Sequence, residues 1–193
     1  MADSHRLLID GGPNGSGKTT LALAYAEEQA IPYVGADAIA ASLNPDHPAA
    51  ARVSAARAFK STVDELVRRK RSFVCESTLS GLTMRTLFAT ARDSGYTIGL
   101  VFLFVDSADV CVARVAERVR AGGHDVPEID IRRRFDRSVR RFWNLYRELA
   151  DSWLLLYNGS AVLQDVAVGR GSRVSIRNSE RFLEFLELVG DSR

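Results

Sequence analysis

Short apolar runs alternate with longer helical patterns along this chain. The apolar runs predict β-strands at 6–10, 32–35, 72–75, 97–105 and 153–157. Between them, apolar residues recur at spacings of three and four, the pattern of amphipathic helices. Strands that alternate with helices form parallel sheets with helices on both faces. We therefore predict an α/β fold with three layers, α/β/α, around a central parallel sheet.

The same periodicity predicts the individual helices. Ser107 is a predicted N-cap for a helix that ends before the "AGGHDVP" segment. Residues 128–149 predict one continuous helix whose apolar stripe leaves Arg134 and Arg141 at its edges. The stripe consists of Ile131, Phe135, Val139, Phe142, Tyr146 and Leu149. Further helices are predicted at 18–29, 50–70 and 179–190, and a pair of β segments at 161–176.

Length and composition indicate a single soluble globular domain. The 193 residues suffice for one domain with a sizeable core, so we predict one domain spanning 1–193. No apolar stretch reaches the roughly 20 residues that span a bilayer, and no secretory leader pattern is visible, so we expect a cytoplasmic protein with no membrane partner. Cys75 and Cys111 are too few for a disulfide framework or a clustered zinc site.

The charge distribution is more informative than the net charge of +2. We do not expect nucleic-acid binding, since no basic groove with interleaved aromatic residues is visible. Ten arginines nevertheless fall between Arg114 and Arg147. The planar guanidinium grips phosphate oxygens at two points, so this cluster is either a phosphate clamp or an ordinary solvated helix face.

One glycine-rich segment carries the clearest chemistry. Residues 12–19 read GPNGSGKT, which fits G-x-x-x-x-G-K-[ST], and they connect a predicted strand to a predicted helix. In such a P-loop, backbone N–H groups surround the phosphates of ATP, Lys18 reaches the β- and γ-phosphates, and the Thr19 hydroxyl binds Mg²⁺. The predicted ATP-binding residues are Gly12, Pro13, Asn14, Gly15, Ser16, Gly17, Lys18, Thr19 and Thr20.

A P-loop alone does not separate switches, motors and kinases. Switch GTPases would need an N-K-x-D motif, and transporter-type ATPases a signature loop and a strand that ends in paired acids; neither pattern occurs. A small kinase remains, and it needs a carboxylate that takes or orients the acceptor hydroxyl. Asp37 and Glu76 both follow predicted strands directly, where ligands bind in parallel sheets. The alternatives are a helix N-cap for Asp37 and a magnesium-water or structural partner for Glu76.

The sequence resembles the zeta toxin family of P-loop kinases, particularly its short chromosomal branch. The resemblance covers about residues 6–160 and rests on "GPNGSGKTT", "YVGADAIA", "ESTLSG", "RVAERVRAGGHDVPEIDIRRRFDRSV" and "LYNGS". It implies phosphorylation, with ATP and Mg²⁺, of the 3'-hydroxyl of the amino sugar in UDP-N-acetylglucosamine. It also implies a small helical antitoxin as partner. Asp37 matches the catalytic base, and Glu76 with Thr78 matches the acceptor-contacting E-x-T.

The resemblance also implies a lid, at about residues 114–141, that closes over ATP. We expect Arg118 and Arg134 to contact the transferring phosphoryl group, and Asn158 to lie on the adenine side. His124 either bonds within the lid turn or contacts phosphate or acceptor. Two other interpretations remain open: a P-loop kinase that acts on another sugar, a nucleotide or a polynucleotide end, and a non-catalytic ATP-binding regulator.

Overall fold

The computed structural model describes residues 5–44, 48–159 and 162–190. Its centre is one seven-stranded sheet in the order β2-β3-β1-β4-β5-β6-β7. The first five strands are parallel, while β6 and β7 are antiparallel additions at one edge. The strands are β1 Arg6–Gly11, β2 Tyr33–Gly35, β3 Phe73–Ser77, β4 Thr97–Phe104, β5 Ser152–Tyr157, β6 Gln164–Arg170 and β7 Arg173–Ile176. The predicted α/β fold and its five parallel strands are confirmed.

The helices follow the strands as the alternating pattern predicted. They are α1 Lys18–Glu28, α2 Ala36–Leu43, α3 Arg52–Arg68, α4 Met84–Asp93, α5 Ala108–Arg120, α6 Glu128–Arg141, α7 Arg147–Leu149 and α8 Ser179–Val189. A 3₁₀ turn, Pro48–Ala51, precedes α3. Ser107 is the N-cap of α5, as predicted, and its hydroxyl accepts a hydrogen bond from the Val110 N–H. None of the helices in the described ranges combines the length and the apolar character that a membrane span requires.

The prediction of one continuous helix at 128–149 was wrong in one respect. Phe142–Tyr146 forms a π-helical segment between α6 and α7, which indicates one extra residue per turn in the middle of the element. Phe142 and Tyr146 are both fully buried, so the wider turn still keeps the apolar stripe directed at the core. The ring of Phe142 stacks on Phe102 of β4 with centroids 4.3 Å apart. Aromatic packing with the sheet thus holds the π segment in place.

The order of the strands decides where the site lies. β1 occupies a central position, with β3 on one side and β4 on the other. The glycine-rich loop leaves the carboxyl end of β1, and the carboxyl ends of β2 and β3 lie at the same edge of the sheet. The residues that follow these strands are therefore brought together, as parallel α/β sheets require.

Candidate functional site

The loop at 12–19 encloses a cradle that only glycine can line at two positions. Gly15 and Gly17 have φ values of 80° and 94°, in the left-handed region that favours glycine. A Cβ on Gly15 would lie 2.8 Å from the Cys111 carbonyl oxygen, and one on Gly17 would lie 2.3 Å from Nδ2 of Asn158. The loop is therefore packed against α5 and the segment after β5, with its backbone turned inward. This arrangement fits a bound phosphate chain.

Lys18 is the first residue of α1 and is almost fully buried. Its Nζ donates to the Pro13 carbonyl oxygen at 3.2 Å and lies 3.6 Å from Oε1 of Glu76. A buried ammonium needs such partners, since an unpaired buried charge is costly. Thr19 and Thr20, in contrast, are exposed in the first turn of α1. Thr19, the predicted Mg²⁺ ligand, is thus an exposed residue beside the loop.

Glu76 is oriented by a second partner that the sequence analysis missed. The Tyr33 hydroxyl, at the start of β2, donates to Oε2 of Glu76 at 2.6 Å. Burial and the neighbouring Glu76 carboxylate raise the pKa of the Tyr33 phenol, so it stays protonated and remains a donor. Lys18 and Tyr33 therefore hold one oxygen each of the same carboxylate.

Asp10 is another residue of the site that sequence reasoning missed. It lies on β1 in register with Glu76 on β3 and is 1% exposed. Burial, and then the charge of Glu76, raise the pKa of Asp10 to about 8, while Lys18 acts in the opposite direction. Within the described part of the chain, neither carboxyl oxygen of Asp10 has a hydrogen-bond partner. The signal was available, because Asp10 is an acid inside an otherwise apolar strand pattern.

A cavity of about 590 Å³ opens beside these residues. Five residues that the sequence singled out line it together: Lys18, Asp37, Glu76, Thr78 and Arg134. Its opposite wall comes from α3, α4 and the residue before α4, and it combines apolar with polar side chains. The apolar ones include Phe59, Val63, Met84 and Leu87, and the polar ones are Lys60, Asp64, Thr83, Thr86 and Thr90.

Asp37 reaches this cavity from the first turn of α2. The N-cap of α2 is Gly35, so the alternative interpretation of Asp37 as an N-cap was wrong. The Asp37 side chain is exposed and lines the cavity mouth. An exposed acid that is not used as a cap is available to bind a ligand.

The lid residues divide into two groups. Arg134 of α6 lies 3.4 Å from Oδ1 of Asn14 in the P-loop and 3.8 Å from a carboxylate oxygen of Asp130. Arg118 instead donates to the His124 carbonyl oxygen at 2.7 Å, is exposed, and is not among the residues that line the cavity. The structure therefore brings Arg134, but not Arg118, to the P-loop. The backbone of His124 takes part in the lid turn, and its imidazole is partly buried.

Asn158 holds the P-loop from the other side. Its Nδ2 donates to the Ser16 carbonyl oxygen at 2.7 Å, and its own carbonyl oxygen accepts from Arg114 at 2.7 Å. Arg114 also approaches the Gly15 carbonyl oxygen at 3.5 Å. The sequence placed Arg114 in the arginine cluster without a role, and the structure shows that it connects α5 to the P-loop and to the end of β5.

The loop after β3 is held by hydrogen bonds from α6 and from the π segment. Three side chains donate to its carbonyl oxygens: Ser138 to Thr78, Arg141 to Ser80, and Tyr146 to Gly81. Thr78 also shares a 2.8 Å hydrogen bond with the Ser80 hydroxyl. These contacts fix the direction of Thr78 toward the cavity. They could not be read from sequence, because they join residues about 60 positions apart.

The family comparison covers the same part of the chain. The model of a family described as AAA domain matches residues 7–142, which include the P-loop, Asp37, Glu76 and the lid. The chain belongs to the AAA domain family. A relative of this chain, an uncharacterized protein of Haemophilus influenzae strain Rd, is 30% identical over 124 residues. That match covers 64% of this chain and 88% of the relative.

Solved structures share the fold of this chain. A chain of the AvrRxo1-ORF1:ORF2 complex with ATP matches 100% of this chain with a TM-score of 0.77 and 15% identity, and this chain spans only 65% of that one. A chain of the PezAT chromosomal toxin-antitoxin system of Streptococcus pneumoniae has a TM-score of 0.71 and 14% identity, and the match covers 100% of this chain and 81% of that one.

A small-molecule kinase shares the fold as well. A gluconokinase from Sinorhizobium meliloti has a TM-score of 0.50 and 14% identity, over 96% of this chain and 91% of that one. At such identities the likeness concerns the fold alone. The fold of this chain is therefore a kinase-like P-loop fold.

Proposed function

We propose that this protein is an ATP-dependent kinase that transfers the γ-phosphoryl group to an acceptor hydroxyl. One observation carries the proposal: the P-loop lysine, one carboxylate from the start of α2, one carboxylate from β3, and a lid arginine line one cavity. These residues are Lys18, Asp37, Glu76 and Arg134. A nucleotide sensor needs a P-loop, but it has no use for a carboxylate-lined cavity beside it. A kinase needs both.

The residues around the P-loop fit ATP with Mg²⁺. The glycine cradle would take the phosphate chain, Lys18 would bind β- and γ-phosphate oxygens, and the exposed Thr19 hydroxyl would hold the cation. The cation supplies charge neutralisation of the phosphates when it is bound. The protein itself would supply hydrogen-bond donors to the phosphates and would keep the phosphates away from bulk water. Asn158 supports the loop from the side on which we place adenine.

Asp37 is the proposed base, since it lines the cavity from an exposed position without any capping role. It would accept or orient the proton of the acceptor hydroxyl while Arg134 and Lys18 stabilise the charge on the phosphoryl oxygens. Glu76 and Thr78 would hold the acceptor. Arg118 would join the phosphate only after lid closure, because it now bonds to the His124 carbonyl.

The acceptor that we propose is UDP-N-acetylglucosamine, at the 3'-hydroxyl of its amino sugar. The order of motifs shared with zeta toxins supports this choice, and so does the likeness in fold to a chain of the PezAT toxin-antitoxin system. The cavity of about 590 Å³ is large enough for a sugar beside the P-loop. By the same reasoning, a small helical antitoxin is the proposed partner.

The deciding experiment is a phosphotransfer assay with ATP, Mg²⁺ and UDP-N-acetylglucosamine, with the products identified by mass. We expect a phosphorylated sugar nucleotide with the wild type and none with Lys18→Ala. Asp37→Asn should still bind ATP but lose transfer by about 10² to 10⁴-fold, as expected for a general base. The control is Asp93→Asn, which changes an exposed acid at the end of α4 and should keep full activity.

The other outcomes separate the alternatives. Transfer to a different hydroxyl compound in a broad panel would keep the kinase and replace the acceptor. Full activity of Asp37→Asn would remove the base assignment. ATP binding without acceptor-dependent ADP release for any compound would favour a nucleotide-binding regulator.

A further inference from the structure

One face of the sheet is covered by a helix at one end only. α1 packs against β1, β2 and β3 on this face. Beyond α1, a groove of about 560 Å³ runs over β4 to β7. Its floor consists of residues that are neighbours in register on successive strands and are all partly exposed: Leu8, Gly99, Val101, Leu154 and Val168. We call this surface the open groove.

The opposite face of the same strands is covered. α8 packs there against β6, with Phe182, Phe185 and Val189 buried. Trp153 of β5 lies on that face too, and is 3% exposed. The contrast is pronounced, because Leu154, the next residue of β5, faces the open groove and is not buried. Parallel strands normally have both faces covered, usually by helices.

One wall of the open groove is positively charged. Arg170 and Arg173 lie opposite each other in the β6–β7 hairpin, and Arg177 follows β7. All three are exposed. Arg177 has an acid, Asp165, at 3.9 Å. Across residues 5–44, 48–159 and 162–190, by contrast, no carboxylate forms an ion pair with Arg170 or Arg173.

We propose that the open groove binds an amphipathic helix of a partner protein, with the apolar side of the helix on the floor and acidic residues against the arginines. The apolar floor favours a helix with an apolar stripe. The arginine wall selects acidic flanks and rejects basic ones. A second copy of this chain fits less well, since a two-fold dimer here would bring two arginine-lined surfaces together. The inference rests on the sheet and not on phosphotransfer, so it survives a failure of the proposed reaction.

The test uses the full chain and two synthetic helix-forming peptides with the same leucine stripe, one flanked by glutamates and the other by lysines. Binding is followed by fluorescence anisotropy of the labelled peptides. We expect the acidic peptide to bind at least about tenfold more tightly than the basic one, with an affinity that falls as salt increases. The double variant Arg170→Glu with Arg173→Glu should reverse the preference. Leu154→Glu should weaken the binding of both peptides.

A matched double variant, Arg57→Glu with Arg68→Glu, changes two exposed arginines of α3 and should leave binding of the acidic peptide unchanged. Circular dichroism checks that each variant is folded. Equal binding of the two peptides, or no effect of the Arg170 and Arg173 changes, would overturn the proposal. A wild-type dimer in sedimentation that Leu154→Glu dissociates would also overturn it, because the occupant would then be a second copy.

Discussion

Asp10 is a residue of the site whose burial lowers the stability of the fold. Its carboxyl group is buried at the end of β1, beside Glu76, and has no hydrogen-bond partner among the described residues. A buried polar group without a partner costs free energy. With a pKa of about 8, the group is mainly protonated at neutral pH and adds no second negative charge next to Lys18. Such perturbed acids are typical of functional sites.

The raised pKa of Asp10 predicts a pH-dependent stability. In the unfolded chain the acid ionises near its ordinary value of 3.8, whereas in the folded protein it ionises near 8. Between these values the folded state binds the extra proton, so the free energy of unfolding falls as pH rises and levels off above about 8. Asp10→Asn keeps the shape of the neutral acid but removes the titration. It should therefore gain stability over the wild type at high pH.

The measurement is urea unfolding of both proteins at pH 5 and pH 8.5. We expect Asp10→Asn to gain about 4 kcal/mol relative to the wild type between the two conditions, because about three pH units separate pH 5 from the folded pKa. Asp93→Asn, in an exposed position, should show the same difference from the wild type at both pH values. A pH-independent difference for Asp10→Asn would mean that Asp10 is ionised in the folded protein throughout.

At the scale of elements, the lid helix and the loop after β3 act as one unit. Ser138, Arg141 and Tyr146 donate to three carbonyl groups of that loop. Within the loop, Leu79 has a φ of 54°, a conformation that leucine rarely adopts, and it is 1% exposed. Strained backbone of this kind persists only where the surroundings enforce it. The hydrogen bonds from α6 and the π segment are that enforcement.

Tyr146→Phe tests this unit with little change of shape. It leaves the Gly81 carbonyl oxygen without the donor that now lies at 2.6 Å, so we expect a loss of about 1–3 kcal/mol of stability. Under the proposed function, the KM for the acceptor should rise while the KM for ATP stays constant. The reason is that the loop after β3 contains Thr78, which would hold the acceptor, and contains no residue of the P-loop. Thermal unfolding and initial-rate kinetics measure the two effects.

Tyr96→Phe is the matched control. The Tyr96 hydroxyl donates to the carbonyl oxygens of Leu66 and Arg71, away from the cavity. This variant should lose comparable stability without a change in the KM for the acceptor. If both variants raise that KM equally, the effect comes from general destabilisation, and the loop has no special role.

The elements also show what the sequence could predict. The strands and the P-loop were predictable because their signals are local: apolar runs, and glycines followed by Lys18 at the start of a helix. The pairing of Asp10 with Glu76 was not, since it depends on the register between β1 and β3. The π segment was missed for a related reason. Its residues fit an α-helical stripe, and the wider turn is visible only in the folded backbone.

On the scale of the whole molecule, contacts at the P-loop connect the predicted lid to the rest of the fold. Arg134 connects α6 to Asn14, and Arg114 connects α5 to the carbonyl oxygen of Asn158 after β5. All seven strands belong to one hydrogen-bonded sheet. The lid helices are thus packed on the same core as the sheet, through residues such as Phe135 and Val139 of α6. This connectivity favours one cooperative unit over a separate lid domain.

Cooperative unfolding of the chain is therefore the expected behaviour. Tryptophan fluorescence reports on Trp143 in the π segment and Trp153 in β5, whereas far-ultraviolet circular dichroism reports on all helices and strands. The two thermal transitions should coincide. ATP with Mg²⁺ at about 100 times its Kd should stabilise the protein by about 2.7 kcal/mol and move both transitions together. Lys18→Ala should abolish this shift, and Lys70→Ala, at an exposed lysine, should retain it. Two separate transitions, or a shift in only one signal, would show that the lid and the sheet unfold independently.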